Sequence, residues 1–175
     1  MTLMPQRWTT FFTMPVGRVA VVALLLALAS GETAYGQLRG AGNERLALRG
    51  IGPINVVIGV DEESVAHGLT EEALQAAVEL QLRRNGVPLL ESDTNHLVVN
   101  IGVIDAELFG FIIQTYFRQA AAVISSNQVG NYITWHREHF GYVSLERDLR
   151  DTVRENISQH IDIFSNDYLA VNPQP

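Results

Sequence analysis

The run His136-Arg137-Glu138-His139 comes nearest in this sequence to a reactive constellation. Zinc chemistry needs three or four ligand atoms about 2.0–2.3 Å from one ion. Two histidines three residues apart would share one face of a helix. This segment reads as a strand, however, and there residues i and i+3 point to opposite faces. His136 and His139 would then chelate one ion only across a bulge, and the metalloprotease spacing His-Glu-x-x-His is not met. The run reads as a polar strand end. A metal-dependent hydrolase using both histidines and nearby acidic residues is the minor alternative.

Asp61, Glu62 and Glu63 follow a short β-branched run and offer oxygen ligands of the kind calcium takes in sets of six to eight. Three adjacent carboxylates diverge, and no Asp-x-Asp-x-Asp-Gly pattern follows, so the expectation is a solvated loop. No serine sits in a Gly-x-Ser-x-Gly setting. Cysteine and lysine are both absent. Thiolate nucleophiles, Schiff-base lysines and a Walker-type phosphate lysine are thereby excluded. The expectation is a non-enzyme without cofactor or resident metal.

A recognition surface is the better prospect. Residues 110–124 and 131–143 read as a long hairpin. If paired residues sum to 254, Trp135 lies near Gln119 and Phe117, on the face with Ile113, Ile133 and Val143. The opposite face then collects Gln114, Tyr116, Arg118, His136, Glu138, Phe140 and Tyr142. Aromatic and arginine residues mixed in this way suit protein recognition. A slip of one residue would exchange the faces of one strand. The same face could instead hold a small molecule, lipid or cell-wall fragment.

These residues need elements to position them. Residues 54–60 read as a strand and the acidic loop follows. Thr70 is an N-cap, Glu71 and Glu72 favour the positive end of a helix dipole, and Leu69 and Leu74 stand where a hydrophobic staple needs them. Leu74, Ala77, Val78 and Leu82 form an apolar stripe, ended by Gly86 and Pro88. Leu89-Leu90-Glu91 and then residues 96–105 follow, with Leu97, Val99, Ile101 and Val103 alternating. After the hairpin, Ser144 caps a helix over 145–169. Its stripe is Leu145, Leu149, Val153, Ile157, Ile161, Phe164 and Tyr168, and Asn172 and Pro173 end it. Its charges read as a solvated face, with Glu146 paired to Arg150 and Asp151 to Arg154. The order β-α-β-β-β-β-α predicts an α+β domain, a mainly antiparallel sheet with two helices packed on one face. Residues 54–171 are that domain, 37–53 a flexible lead-in with little to bury, and 172–175 a tail.

The first 36 residues are an address. Arg7 and Arg18 precede the apolar run 19–29, followed by small residues at Ala29-Ser30-Gly31 and Ala34-Tyr35-Gly36. That is the three-part pattern of a signal peptide, with cleavage preferred after Gly36 and a second choice after Ala29. A spanning helix needs about 20 apolar residues, and this run is shorter. Membrane contact is therefore expected only through an uncleaved signal segment. Removing residues 1–36 takes away two positive charges and one negative, so the formal charge of −7 becomes −8. An acidic chain gains nothing from counterion release, which argues against nucleic acid as a partner. The absence of cysteine also excludes a lipid-bearing cysteine at the cleavage site.

Three segments carry a resemblance in layout to small periplasmic domains of bacterial envelope proteins. These are the amino-terminal domain of TolB, the curli-secretion protein CsgG and the LpoB-type activators. Residues 74–87, ending Leu82-Arg83-Arg84-Asn85-Gly86-Val87, resemble their helix that ends in an Arg-x-Gly turn. Residues 96–102 resemble their central strand, and the strand through Thr134-Trp135 with its long helix resembles their closing hairpin and helix. The tail 164–173 is also similar to that of secreted bacterial proteins of unassigned function. The resemblance implies an exported, periplasmic or secreted, non-enzymatic adaptor whose partner is another envelope protein. This chain departs from the channel and activator families in lacking their lipid-bearing cysteine.

The export reading has a direct check. Amino-terminal sequencing of protein recovered from the cell envelope should find Gln37 or Ser30 as the first residue. Intact Met1 in carbonate-resistant membranes would establish an anchor instead.

Overall fold

β-Branched runs and helical stripes fall into place as expected in the computed structural model, which describes residues 41–90, 94–123, 125–144 and 146–173. The expected signal segment lies outside the described residues, as does Leu145. In chain order the elements are α1 (Ala41–Ala47), β1 (Asn55–Val60), α2 (Glu62–Ala66), α3 (Glu71–Arg84), β2 (His96–Ile104), β3 (Phe109–Val123), β4 (Gln128–Val143) and α4 (Glu146–Val171). The sheet order is β1-β2-β3-β4. β1 and β2 are parallel, whereas β2–β3 and β3–β4 are antiparallel. The α+β class stands, with a mixed sheet. β1 returns to β2 through α2 and α3, and such a crossover brings the second strand back in the same direction.

Both long helices cover one face. Leu74, Val78 and Leu82 of α3 and Leu149, Val153, Ile157, Ile161, Phe164 and Tyr168 of α4 join one buried cluster. From the sheet it takes Val56, Ile58, Leu97, Val99, Ile101, Val103, Phe111, Ile113, Phe117 and Trp135. Burying each large apolar side chain contributes about 1.5–3 kcal/mol. Thr70 caps α3 by accepting from the Ala73 N–H at 3.4 Å, and the Leu69–Leu74 staple is buried. Gly86 stops the helix at φ +84°, a conformation a Cβ would oppose. Polar groups line the α3–α4 seam. Gln81 Nε2 donates to Asp162 at 2.8 Å, and Asn85 Nδ2 donates to the same carboxylate at 2.9 Å.

Four expectations are corrected. Residues 41–53 carry α1 and the fully buried Leu48 instead of forming a lead-in. The glycines and arginines that suggested looseness flank one well-placed leucine, and polar contacts tie the segment down. Tyr168 Oη donates to the Ile51 and Gly52 carbonyls at 3.0 and 3.3 Å. Asn172, assigned to a tail, accepts from the Gly50 N–H at 2.7 Å and donates to the Leu48 carbonyl at 2.7 Å. Second, the acidic loop is the short helix α2, because Asp61 accepts from the Ser64 N–H at 2.8 Å and so supplies the cap. Third, among the described residues the sheet has four strands. Leu89 makes only an isolated bridge to Ile54, and Pro88 beside it has no N–H with which to extend a ladder.

Fourth, the hairpin pairs residues summing to 252 from Phe109↔Val143 to Phe117↔Trp135, and to 251 from Arg118↔Ile133 onward. A shift from 254 to 252 preserves the faces. The irregularity between Phe117 and Arg118 makes Thr134 the extra residue of a bulge, so Ile133 moves to the side of Arg118. Thr134 turns inward, where its Oγ1 accepts from Gln119 Nε2 at 2.9 Å.

Next to this bulge lies the tie between α4 and the sheet. Trp135 Nε1 donates to Asp167 Oδ2 at 3.0 Å, and Arg45 Nε donates to Asp167 Oδ1 at 2.8 Å. Asp167→Ala should lower stability by about 1–3 kcal/mol, the cost of orphaning a buried donor. Urea unfolding followed by tryptophan fluorescence measures this. A loss below ~0.5 kcal/mol would show that Asp167 is dispensable.

Candidate functional site

Pleating sends alternate side chains of β3 and β4 away from the helices. Gln114, Tyr116 and Arg118 on β3 and His136, Glu138, Phe140 and Tyr142 on β4 all lie on that open face. The cross-strand partners are Gln114↔Glu138, Tyr116↔His136, Ile112↔Phe140 and Gly110↔Tyr142. Phe140 and Tyr142 are 55% and 65% exposed, whereas Phe117 and Trp135 on the covered face are fully buried. The Phe140 and Tyr142 rings meet edge to face at 5.1 Å, forming an exposed aromatic pair near the end of β4. Between them, Gly141 faces the core. A Cβ there would come within 2.6 Å of the Phe111 ring, so the missing side chain makes room for Phe111.

The face is partly self-satisfied. Gln114 Nε2 donates to Glu138 Oε1 at 2.9 Å, and Asn100 Nδ2 donates to Tyr116 Oη at 3.4 Å. His136 Nδ1 lies 3.3 Å from Glu44 Oε1, and the other oxygen of Glu44 is 2.7 Å from Arg137 Nη1. Glu44 thus engages two successive β4 residues whose side chains leave opposite faces. It holds α1 at the open edge of the sheet.

His136 and His139 do not converge. His139 lies on the covered face, stacked on Phe111 at 5.8 Å and edge-on to His160 at 6.5 Å. His160 was no sequence candidate, because it sits within an amphipathic helix beside Ile161. It is buried, and its Nδ1 shares a 2.9 Å hydrogen bond with Thr115 Oγ1. Burial, and then the neighbouring His139 and Arg137, push its pKa down to about 4. This is the signature of a neutral core imidazole.

A second group of ionisable side chains gathers at the α2 end of α4. His67, the C-cap residue of α2, places Nδ1 3.0 Å from Glu146 Oε1. Its Nε2 lies 3.7 Å from Glu63 Oε1 and 3.9 Å from Asp105 Oδ2. Phe109 meets the His67 ring edge to face at 5.4 Å. Glu146, expected to pair with Arg150 on the solvated face, thus engages His67. Glu63 was weighed in the sequence as part of a calcium loop, whereas His67 and Asp105 were no candidates. The usable signal was the i,i+4 spacing of Glu63 and His67, which gains meaning only once α2 is helical.

Comparison with known proteins adds no assignment. No family model matches the chain, and a search of curated proteins returns no match. Among the described residues, no helix is long and apolar enough to cross a membrane.

His160 gives this region a pH dependence. Unfolded, it takes up a proton near its ordinary value of 6.5, whereas folded it does so only near 4. Between those values the unfolded chain binds the extra proton, so this contribution is complete above pH 6.5 and is lost as pH falls toward 4. The loss amounts to at most about 3 kcal/mol. Urea unfolding at pH 7 and near the lower end of this window should show a smaller acid loss in His160→Gln than in the parent chain. Equal losses would show that His160 does not titrate with folding.

Proposed function

We propose that this chain is an exported, non-enzymatic interaction domain that binds another protein of the cell envelope through the open face of its sheet. The observation that carries the reading is the contrast between the two faces. α3 and α4 seal one of them, while the other presents the Phe140–Tyr142 pair at 55% and 65% exposure, with Arg118 and Glu138 on the same face. Aromatic residues and arginine dominate interface energetics. The polar neighbours already bond to one another across the strands, which limits the desolvation cost of covering them. Export rests on the charged, apolar and small-residue pattern of residues 1–36, and the absence of cysteine and lysine supports a non-enzymatic role.

Replacing both Arg118 and Tyr142 with alanine should weaken capture of the envelope partner by ~2 kcal/mol or more. Thermal melting should barely move, because exposed substitutions rarely affect folding. Pull-down from an envelope fraction with the parent and doubly substituted chains measures both binding and selectivity. Unchanged capture by a stably folded double variant would remove this face as the recognition surface. Retention of a glycan or lipid in place of a protein would favour the small-ligand reading of the same face.

A further inference from the structure

Away from the open face, Glu63, His67 and Asp105 each bring one ligand atom within 4.8 Å of the others. Acidic side chains gather on many surfaces without a ligand, and what sets this group apart is the imidazole. The His67 side chain is only 9% exposed, and its Nε2 is a buried atom with no hydrogen-bond partner. That nitrogen points between two carboxylates, at 3.7 Å from Glu63 and 3.9 Å from Asp105.

The proton on the ring can be placed. Nδ1 lies 3.0 Å from Glu146 Oε1, and an ionised carboxylate only accepts. In the neutral ring the proton therefore sits on Nδ1 and the lone pair on Nε2. A bare lone pair aimed between two carboxylates is repulsive unless a cation fills the gap. The observed separations of 3.7 and 3.9 Å are longer than the ~2.7–2.9 Å of a charge-assisted hydrogen bond. They approach the spacing that a metal imposes: ligand atoms about 2.1 Å from one ion at tetrahedral angles lie about 3.4 Å apart. A histidine that ligates through one nitrogen and donates through the other to a carboxylate is a recurrent arrangement around protein-bound zinc.

We propose that Glu63, His67 and Asp105 bind a divalent transition-metal ion of the zinc class, with Glu146 orienting the imidazole from behind. The nitrogen ligand selects against calcium and magnesium, which take oxygen, and the absence of thiolates selects against soft ions such as copper(I). Three carboxylates around one histidine supply the negative potential that attracts a cation. Arg150 is the opposing charge nearby; it lines the depression beside Gly68 and Glu146. Bound there, the ion joins α2, the residue following β2 and the first turn of α4. Three protein ligands leave a position for water.

The test is calorimetric titration of the full chain with Zn²⁺ near neutral pH, after stripping with a chelator. One equivalent should bind, and Ca²⁺ and Mg²⁺ should not compete. Glu63→Gln and Asp105→Asn alter side chains 47% and 44% exposed, so both variants should fold, and each should lose affinity about tenfold or more. His67→Gln should abolish binding, and Glu146→Gln should weaken it by about 10–100-fold. His136→Gln should leave it unchanged. Parent-like affinity in folded Glu63→Gln and Asp105→Asn, calcium binding as tight as zinc, or loss of binding in His136→Gln would each overturn the assignment.

Discussion

A single buried carboxylate fixes how the long C-terminal helix sits on the sheet. Asp167 is 5% exposed, and burying a charge that deeply is unfavourable unless hydrogen bonds replace the lost water. Trp135 Nε1 and Arg45 Nε supply them, and the Arg137 guanidinium lies 3.7 Å away and over the Trp135 ring at 4.8 Å. Phe164 meets Trp135 edge to face at 5.1 Å. One residue of α4 thereby sets that helix's rotation, the depth of the β4 tryptophan and the docking of α1. Greasy contacts alone would permit several rotations of α4; a directional N–H···O bond in the core permits one.

The bulge at Thr134 belongs to the same constraint. One extra residue on β4 reverses which side chains face the helices beyond it. Trp135 can therefore enter the core while Ile133, two residues earlier, lies on the open side with Arg118. The covered surface also has a simple geometric origin. Four strands at about 4.8 Å make a sheet roughly 14–19 Å wide, and two helices about 10 Å apart cover that width. Both long helices are used on one side. The aromatic pair of β4 is consequently left in solvent.

The His67 cluster and that aromatic pair occupy one end of the sheet. Asp105 follows the last residue of β2, Ile104, which pairs with Gly110; Gly110 in turn pairs with Tyr142. Phe109, the first residue of β3, packs its ring against His67. The connection between β2 and β3 is thus held from one side by the histidine and continues on the other into the strand that carries the exposed face. Asp61 reinforces this end, since its second oxygen accepts from the Val103 N–H at 3.1 Å.

Local chemistry was legible in the sequence wherever a residue acts on its own neighbours. The Thr70 cap, the Leu69–Leu74 staple, the Gly86 stop and the stripe from Leu149 to Tyr168 depend on spacings of a few residues, and all are present. So is the division of the hairpin into an aromatic-polar face and a buried face, because an alternation of period two survives a register error of two. The bulge depends on Trp135 meeting Asp167, 32 residues away, and no local pattern records it. The same holds for residues 41–53, whose glycine- and arginine-rich sequence looks unable to bury anything, although Tyr168 and Asn172 tie down the stretch that follows α1. Glu63 and His67 of one short helix and its cap, Asp105 and Glu146 come from three stretches of chain with separate local roles. Sequence determined the two long helices, the strands of the sheet and which faces are apolar; only tertiary packing decided that the short segments α1 and α2 are helical and which distant polar groups meet, because directional bonds between those groups form after the elements have docked.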